Sequence, residues 1–196
     1  MNKVINVKEN DPRYNALKTA VDAATDDDLI IVARSYKNRK DDRITPIDII
    51  NGIYFYIAYN LNDGQTAFLG AVTSEMVNKA KANMLRRARF GSMYSVVFSD
   101  GETFDNYDSY DELMNVVTLD CKRFGAGLLY CTELLKEIKR KIGNYYILPS
   151  SVDEIIVVPA DASDLSSMTQ LVRDVNATIT DDVWLADEAF TVEEWL

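Results

Sequence analysis

Three segments of the chain, 73–90, 132–143 and 163–175, carry apolar side chains at every third or fourth position. This spacing places the apolar residues on one face of a helix and the charged residues on the other. Start and stop signals agree with it, since Thr132 is a capping residue and Gly143 is typical of a helix end. We therefore predict three amphipathic helices that pack one face against a core.

Short runs of β-branched and aromatic residues lie between these helices and predict strands. In segment 49–73, two such runs flank the turn signal Asn62-Asp63-Gly64, which predicts a hairpin. The runs 145–149 and 153–159 predict two more strands, separated by the pair Ser150-Ser151. Pairing of such neighbouring strands is antiparallel.

Segments 112–119 and 124–131 are also predicted as strands, and the glycines of the second would permit close backbone approach. The chain shows no regular alternation of strand and helix, and it has no glycine-rich phosphate loop. These features indicate an α+β fold with a mainly antiparallel sheet packed by several amphipathic helices.

The amino-terminal part of the chain is less regular. Residues 11–33 predict a helix, but from Thr25 onward the pattern fits either another helical turn or a short strand. Segment 37–43 is rich in basic residues diluted by two acids, which favours an exposed loop over a phosphate site. We therefore divide the chain into residues 1–50, a helical extension with a basic loop, and residues 51–196, an α+β domain.

Charge is distributed unevenly along the chain, whose net charge is −10. Residues 1–90 sum to +3, whereas residues 91–196 sum to −13. An acidic field of this kind repels phosphate backbones and attracts cationic surfaces. We therefore expect a protein partner with a basic surface, and no direct nucleic-acid binding through the acidic half.

The composition excludes several kinds of chemistry. The chain has no histidine, which removes the commonest general base and the commonest zinc ligand. Its two cysteines are too few for a disulfide scaffold, and they suit a reducing compartment. No apolar stretch is long enough for a membrane span, and the amino terminus lacks the apolar core of a signal peptide. We expect a cytoplasmic protein without a cofactor and without a membrane partner.

Four stretches of the sequence resemble an uncharacterised family, the domain-of-unknown-function family 5688. They contain Ala80 with Asn83, Gly125 with Ala126, the segment 148–154, and Val175 with Asn176. The resemblance covers about residues 53–190 and implies an origin in Firmicutes and their mobile elements, but no reaction. Its most distinctive piece is Leu-Pro-Ser-Ser-Val, after which this chain has Asp153 where the family usually has histidine.

One hypothesis for function is an enzyme, either a hydrolase that uses Ser150 or Ser151 or a metal-dependent enzyme that uses Asp153 and Glu154. A serine nucleophile needs a base, and histidine is absent. Serines after a proline also commonly bond their own backbone in a turn, and scattered acids are weak evidence for a metal. We therefore favour the turn interpretation and predict no catalytic residue.

The preferred hypothesis is a non-enzymatic acidic module that binds another protein. In its most specific form it is a mobile-element or phage inhibitor of a host nucleic-acid-binding defence protein, of the anti-CRISPR or anti-restriction type, whose carboxylates stand in for phosphates. Tyrosines are included among the contact candidates because they are favoured at interfaces. The candidate contact residues are Asp105, Tyr107, Asp108, Tyr110, Asp111, Glu112, Asp153, Glu154, Asp181, Asp182, Asp187 and Glu188.

Overall fold

A computed structural model describes residues 14–39, 44–61, 65–92, 95, 102–103, 113–149 and 151–196. Within these residues the α-helices are α1 (Tyr14–Ala23), α2 (Ser74–Arg87), α3 (Thr132–Ile142) and α4 (Leu165–Asn176). Three short 3₁₀ helices span Asp26–Asp28, Gly125–Tyr130 and Val192–Trp195. The three amphipathic helices predicted from the sequence are confirmed as α2, α3 and α4, except that residues 88–90, the predicted end of the first, belong to a strand.

Local chemistry defines the ends of these helices. The Thr73 side chain accepts a hydrogen bond from the Met76 amide at the start of α2, and Asp164 accepts one from the Ser167 amide at the start of α4. Gly143 ends α3 with a positive φ of 79°, which favours glycine. Thr132 is the first helical residue of α3 and not its cap, because Cys131 precedes the helix without a side-chain bond.

The first sheet is organised around β3 (Ile53–Asn60). β1 (Leu29–Arg34) pairs with it along one edge, and β2 (Asp48–Ile50) and β4 (Thr66–Phe68) pair with the other edge. All three pairings are antiparallel. The predicted β3–β4 hairpin is confirmed, and its turn signal at 62–64 lies outside the described residues.

Residues 29–34 settle the ambiguity in the amino-terminal part in favour of a strand. The helix ends at Ala23, a 3₁₀ turn follows, and β1 pairs residue for residue with β3 from Leu29↔Tyr59 to Arg34↔Tyr54. The predicted domain boundary at residue 50 therefore falls between paired strands of one sheet.

The second sheet is antiparallel throughout and has the order β10-β8-β9-β7-β5-β6 in the described part of the chain. Its strands are β5 (Ala88–Ser92), β6 (Glu102–Thr103), β7 (Asn115–Leu119), β8 (Tyr145–Leu148), β9 (Ile155–Pro159) and β10 (Phe190–Thr191). The predicted strands of segments 112–119, 145–149 and 153–159 are confirmed as β7, β8 and β9. Together with the first sheet, this arrangement confirms the α+β class.

Segment 124–131 is a 3₁₀ helix and not the predicted strand. The helix spans Gly125–Tyr130 and follows Phe124, whose φ of 63° turns the backbone, and Gly125 through Leu129 are all buried. This helix packs between β7 of the second sheet and β1 of the first. A Cβ on Gly125 would lie 2.6 Å from the Thr118 Cα in β7, and one on Gly127 would overlap the Ile31 carbonyl in β1. The two glycines therefore permit the close approach that the sequence indicated, but within a helix.

A hydrophobic core runs through both sheets and includes β1, β3, α2, the 125–130 helix and α3. A smaller cluster lies beneath α4, where Val172 packs with Leu148, Val158 and Ala189. The aromatic residues near the carboxyl terminus join the main core, since Trp195 packs against Phe55 and Phe190. This packing fixes the segment that precedes β10, where the candidate site lies.

Candidate protein-interaction site

Pro149 and the segment 151–153 lie beside the segment 183–186, although 29 residues separate 153 from 183 in sequence. The Val152 amide donates to the Val183 carbonyl at 2.9 Å, and the Ala186 amide donates to the Pro149 carbonyl at 3.1 Å. Ser151 and Trp184 form an isolated antiparallel bridge between these bonds. The contact brings the Pro-Ser-Ser segment next to the acidic stretch 181–188.

Asn38, which follows β1, anchors this stretch from the other side. Its side chain is buried, and its Nδ2 donates to the carbonyls of Trp184 at 2.6 Å and Asp182 at 3.3 Å. Its Oδ1 accepts from the Ser35 amide at 2.8 Å, which fixes the amide group in place. The backbone of the acidic stretch is therefore held by the first sheet as well as by the second.

Asp187, near the end of the stretch, is held in place by two donors. The Trp184 indole N–H donates to Asp187 Oδ1 at 2.7 Å, and Asn176 Nδ2 donates to the same oxygen at 2.8 Å. Partial burial raises the pKa of the Asp187 carboxyl, but these two bonds and the charges of Lys37 and Arg173 outweigh it and lower the pKa overall. Asp187 is therefore ionised at neutral pH in an ordered position.

Aromatic and basic side chains surround Trp184. The Tyr36 ring meets it edge to face, with centroids 5.4 Å apart, and the Lys37 ammonium lies 4.0 Å from its centroid. Lys37 also forms an ion pair with Asp181 at 3.6 Å. The indole is only 5% exposed, whereas Tyr36 is 66% exposed. A fixed aromatic ring thus lies beneath an accessible one.

A pocket of about 220 Å³ opens between these groups and the β2–β3 turn. Its wall is made by Tyr36, Trp184, Asp187, Glu188, Phe190 and the Asn51-Gly52 turn, among others. Asn51 has a positive φ of 51° and donates to the Glu194 carbonyl at 3.4 Å, which ties the turn to the carboxyl-terminal 3₁₀ helix. The pocket is therefore lined by residues that adjoin strands of both sheets.

All four acids of the stretch are exposed to solvent. Asp182 accepts a hydrogen bond from the Thr180 hydroxyl, and Glu188 forms an ion pair with Arg173 at 3.8 Å. The stretch 181–188 contains four carboxylates and no basic residue. We call this stretch, with Tyr36 and the pocket beside it, the acidic site.

Asp153 and Glu154 occupy a different environment, because both are half-buried. Asp153 Oδ1 accepts from the Phe124 amide at 3.2 Å, and its carbonyl accepts from the Gly125 amide and from Thr118 Oγ1. Burial raises the pKa of Glu154, the Asp153 charge raises it further, and a hydrogen bond from Ser151 lowers it. Asp153 therefore connects this corner to the 125–130 helix and to β7.

Ser151 of the Pro-Ser-Ser segment belongs to this same corner. Ser151 Oγ accepts from the Asp153 amide at 3.1 Å, the bond expected of a serine in a turn, and Ser150 lies outside the described residues. Among the residues that the structure describes, no three Cys, Asp or Glu side chains are grouped so that they could hold a metal ion.

The charges of acids from both groups act on Arg34. Burial lowers the pKa of its guanidinium, while the charges of Asp153 and Asp182 raise it and that of Arg123 lowers it. Its guanidinium also lies 5.9 Å from the centre of the Phe68 ring. Arg34 therefore lies within electrostatic range of one acid from each group.

The sequence-predicted contact residues thus fall into three sets. Asp181, Asp182, Asp187 and Glu188 come together at the acidic site. Asp153 and Glu154 lie in the neighbouring half-buried corner. The remaining six lie outside the described residues: Asp105, Tyr107, Asp108, Tyr110, Asp111 and Glu112.

Sequence reasoning missed the residues that complete the site from the amino-terminal part. The sequence pattern predicts that Lys37 and Asn38 lie in an exposed basic loop bordered by Tyr36, and that Asn51 lies in a strand-rich segment, whereas Asn38 is buried. The one available signal was the tight polar sequence Ser35-Tyr36-Lys37-Asn38 directly after an apolar run, which is typical of a turn that bonds its own backbone.

The fold and the site define an α+β protein with two antiparallel sheets and an acidic, partly aromatic pocket. The chain belongs to the family of unknown function DUF5688, which matches residues 56–191. No curated protein and no solved structure matches the chain. In the described part of the chain, no helix has the length and apolarity needed to cross a membrane.

The residues that carry the family resemblance support the fold and the acidic site. Asn83 donates to the carbonyls of Asp26 and Leu29 at the edge of β1. Gly125 makes room for the corner at Asp153, and Asn176 holds both Asp187 Oδ1 and the Ala186 carbonyl. The resemblance therefore includes a residue that orders the acidic site.

Proposed function

We propose that this chain is a protein-interaction module that binds a basic surface of a partner protein through the acidic site. The observation that carries the proposal is the fixed stretch 181–188, in which four acids are displayed on one ordered segment beside a pocket. Its backbone is bonded to Asn38 on one side and to the segment 149–152 on the other. Preorganised charges of one sign favour a partner of the opposite sign without a large ordering cost.

In its most specific form, the partner is a cytoplasmic protein of host defence that binds nucleic acid, and the chain comes from a mobile element or phage. The acidic site would then occupy part of a groove lined by Lys and Arg that otherwise holds phosphates. Under this form, nucleic acid and the chain compete for the partner. If the partner bound nucleic acid and the chain at the same time, the specific form would be wrong and only binding to a basic protein surface would remain.

In the experiment, three versions of the chain serve as baits, and the proteins that each one captures from host cytosol are quantified. One is unchanged, and the site variant carries Asp181→Asn, Asp182→Asn and Glu188→Gln. The control variant carries Asp22→Asn, Glu75→Gln and Asp161→Asn, three exposed acids on α1, on α2 and after β9. The two variants therefore lose the same charge from different surfaces.

The proposal expects at least one protein, rich in surface Lys and Arg, that the unchanged chain and the control variant capture and the site variant loses. Its recovery should fall as salt rises, because exposed charge pairs are screened. Equal capture by all three versions, or capture that rises with salt, would contradict binding through the acidic site.

A further inference from the structure

The pocket of the acidic site is too small for most small-molecule ligands. Its volume of about 220 Å³ lies below the roughly 300–1,000 Å³ of pockets that enclose drug-sized ligands. A pocket of this size suits one side chain of a partner. Because the proposed partner is basic, the candidates are the two long cationic side chains, lysine and arginine.

The polar wall of the pocket selects a cation with several donors. Within the described part of the chain, both hydrogen bonds to the Asp187 carboxylate go to Oδ1, which leaves Oδ2 as an acceptor for an outside group. Glu188 adds a second carboxylate, and its ion pair with Arg173 at 3.8 Å is long and exposed. Two adjacent carboxylates match the several N–H donors of a guanidinium.

The aromatic wall selects a flat cation. Tyr36 lines the pocket and is 66% exposed, and its orientation is set by edge-to-face contact with Trp184. An arginine guanidinium can stack on such a ring, whereas an ammonium is a compact, strongly hydrated point charge. The chain's own Lys37 does not line the pocket. Its ammonium lies over the Trp184 ring and forms an ion pair with Asp181.

Building on the proposed function, we propose that the pocket is the socket for one arginine side chain of the partner protein. The guanidinium donates to Asp187 Oδ2 and Glu188 and lies on the Tyr36 ring. Anchors of this kind, an arginine in a preformed pocket, often carry much of the energy of a protein interface. The rest of the stretch 181–188 would then supply the surrounding charge.

A titration with a small probe tests the socket without the partner. The probe is Nα-acetyl-arginine amide, and its neutral isostere Nα-acetyl-citrulline amide and the lysine analogue are the comparisons. The readout is the indole N–H resonance of Trp184, which donates to Asp187. The chain has two tryptophans, so the Trp195 indole is an internal reference in the same spectrum.

We expect arginine to shift the Trp184 resonance with saturation in the millimolar range, and citrulline to leave it unchanged. Asp187→Asn should weaken the arginine affinity about fivefold, which is the upper end for an exposed charge pair. Tyr36→Leu, which leaves the charge unchanged, should also weaken it. Asp161→Asn removes the same charge after β9 and should leave the affinity as it was.

Three outcomes would overturn the socket: no saturable shift, an equal shift with citrulline, or tighter binding of lysine than of arginine. In the Asp187→Asn variant, the Asn side chain can still accept the hydrogen bond from the Trp184 indole N–H. A spectrum recorded before the titration shows whether this variant is folded. The capture experiment tests the proposed function separately. If the site variant loses a basic partner that the unchanged chain captures, the proposed function is supported even if the arginine probe does not bind.

Discussion

Gly127 allows the 125–130 helix to touch β1, because a side chain there would overlap the Ile31 carbonyl and approach Met84 Cε to 2.9 Å. Gly125 plays the same part against β7 and the corner at Asp153. Neither glycine has a positive φ, so the requirement at these positions is space and not backbone conformation. The two sheets can be this close only because both positions lack a Cβ.

The Gly127→Ala variant tests this contact. We expect the free energy of unfolding to fall by about 3 kcal/mol, since the backbone of β1 must move to admit the methyl group. Gly52→Ala is the control, because a Cβ there meets nothing within 4 Å and the cost is only that of the positive φ, about 1–2 kcal/mol. Denaturant unfolding measures both. A smaller loss for Gly127→Ala than for Gly52→Ala would contradict the packing.

Glu154 makes folding sensitive to pH. Its raised pKa means that the folded chain holds the proton more tightly than the unfolded chain, whose glutamate has a pKa of about 4.3. Its contribution to stability is therefore complete below about pH 4 and is lost as pH rises through the folded pKa. Burial, and secondarily the charge of Asp153, is the cause.

We expect Glu154→Gln to be more stable than the unchanged chain at about pH 7 and equally stable at about pH 3.5. The amide keeps the size of the carboxyl and can still bond Ser151. Glu133→Gln, which removes the same charge from an exposed position of α3, is the control. Urea unfolding at the two pH values gives the comparison. A Glu154→Gln variant less stable at neutral pH would show that the charged form is favoured in the fold.

At the scale of elements, β1 is an edge strand that the rest of the fold covers. Its free edge faces α2, where Asn83 Nδ2 donates to the Leu29 carbonyl at 3.0 Å and the Ile31 amide lies 3.1 Å from Met84 Sδ. The 125–130 helix closes the edge at the Ile31 carbonyl. Covered edges of this kind cannot pair with another chain.

The Asn83→Ala variant should therefore destabilise the fold by about 2 kcal/mol, because the buried Leu29 carbonyl loses its partner. Asn78→Ala, an exposed position on the same helix, should change stability by less than about 0.5 kcal/mol. Thermal unfolding of the two variants side by side measures the difference. Equal effects would mean that the Asn83 bonds contribute nothing beyond helix propensity.

The elements that sequence reasoning identified correctly are those with a visible period or a clear stop signal. α2, α3 and α4 each have an exposed face, and β8 and β9 are short runs bounded by Pro149 and Pro159. Segment 124–131 was assigned wrongly because it is buried on all sides, so it has no polar face to reveal whether its period is helical. Burial of this kind depends on the two sheets, which local sequence does not specify.

At the scale of the whole molecule, the acidic site could be predicted only in part. The acids at 181, 182, 187 and 188 are visible in the sequence as charge. They lie next to Tyr36 and Asn38 because of contacts between residues far apart in the sequence. One is the hydrogen bond from Asn38 Nδ2 to the Trp184 carbonyl, which joins positions 146 residues apart. The pocket exists only where these distant segments meet.

The central claim is that the acidic site binds a basic protein surface, and the affinity of a captured partner tests it most directly. Titration calorimetry would compare the unchanged chain, the site variant and the control variant at low and high salt. We expect the site variant to bind about tenfold weaker or more and to depend less on salt, and the control variant to match the unchanged chain. Equal affinities of the two variants at both salt concentrations would contradict the claim.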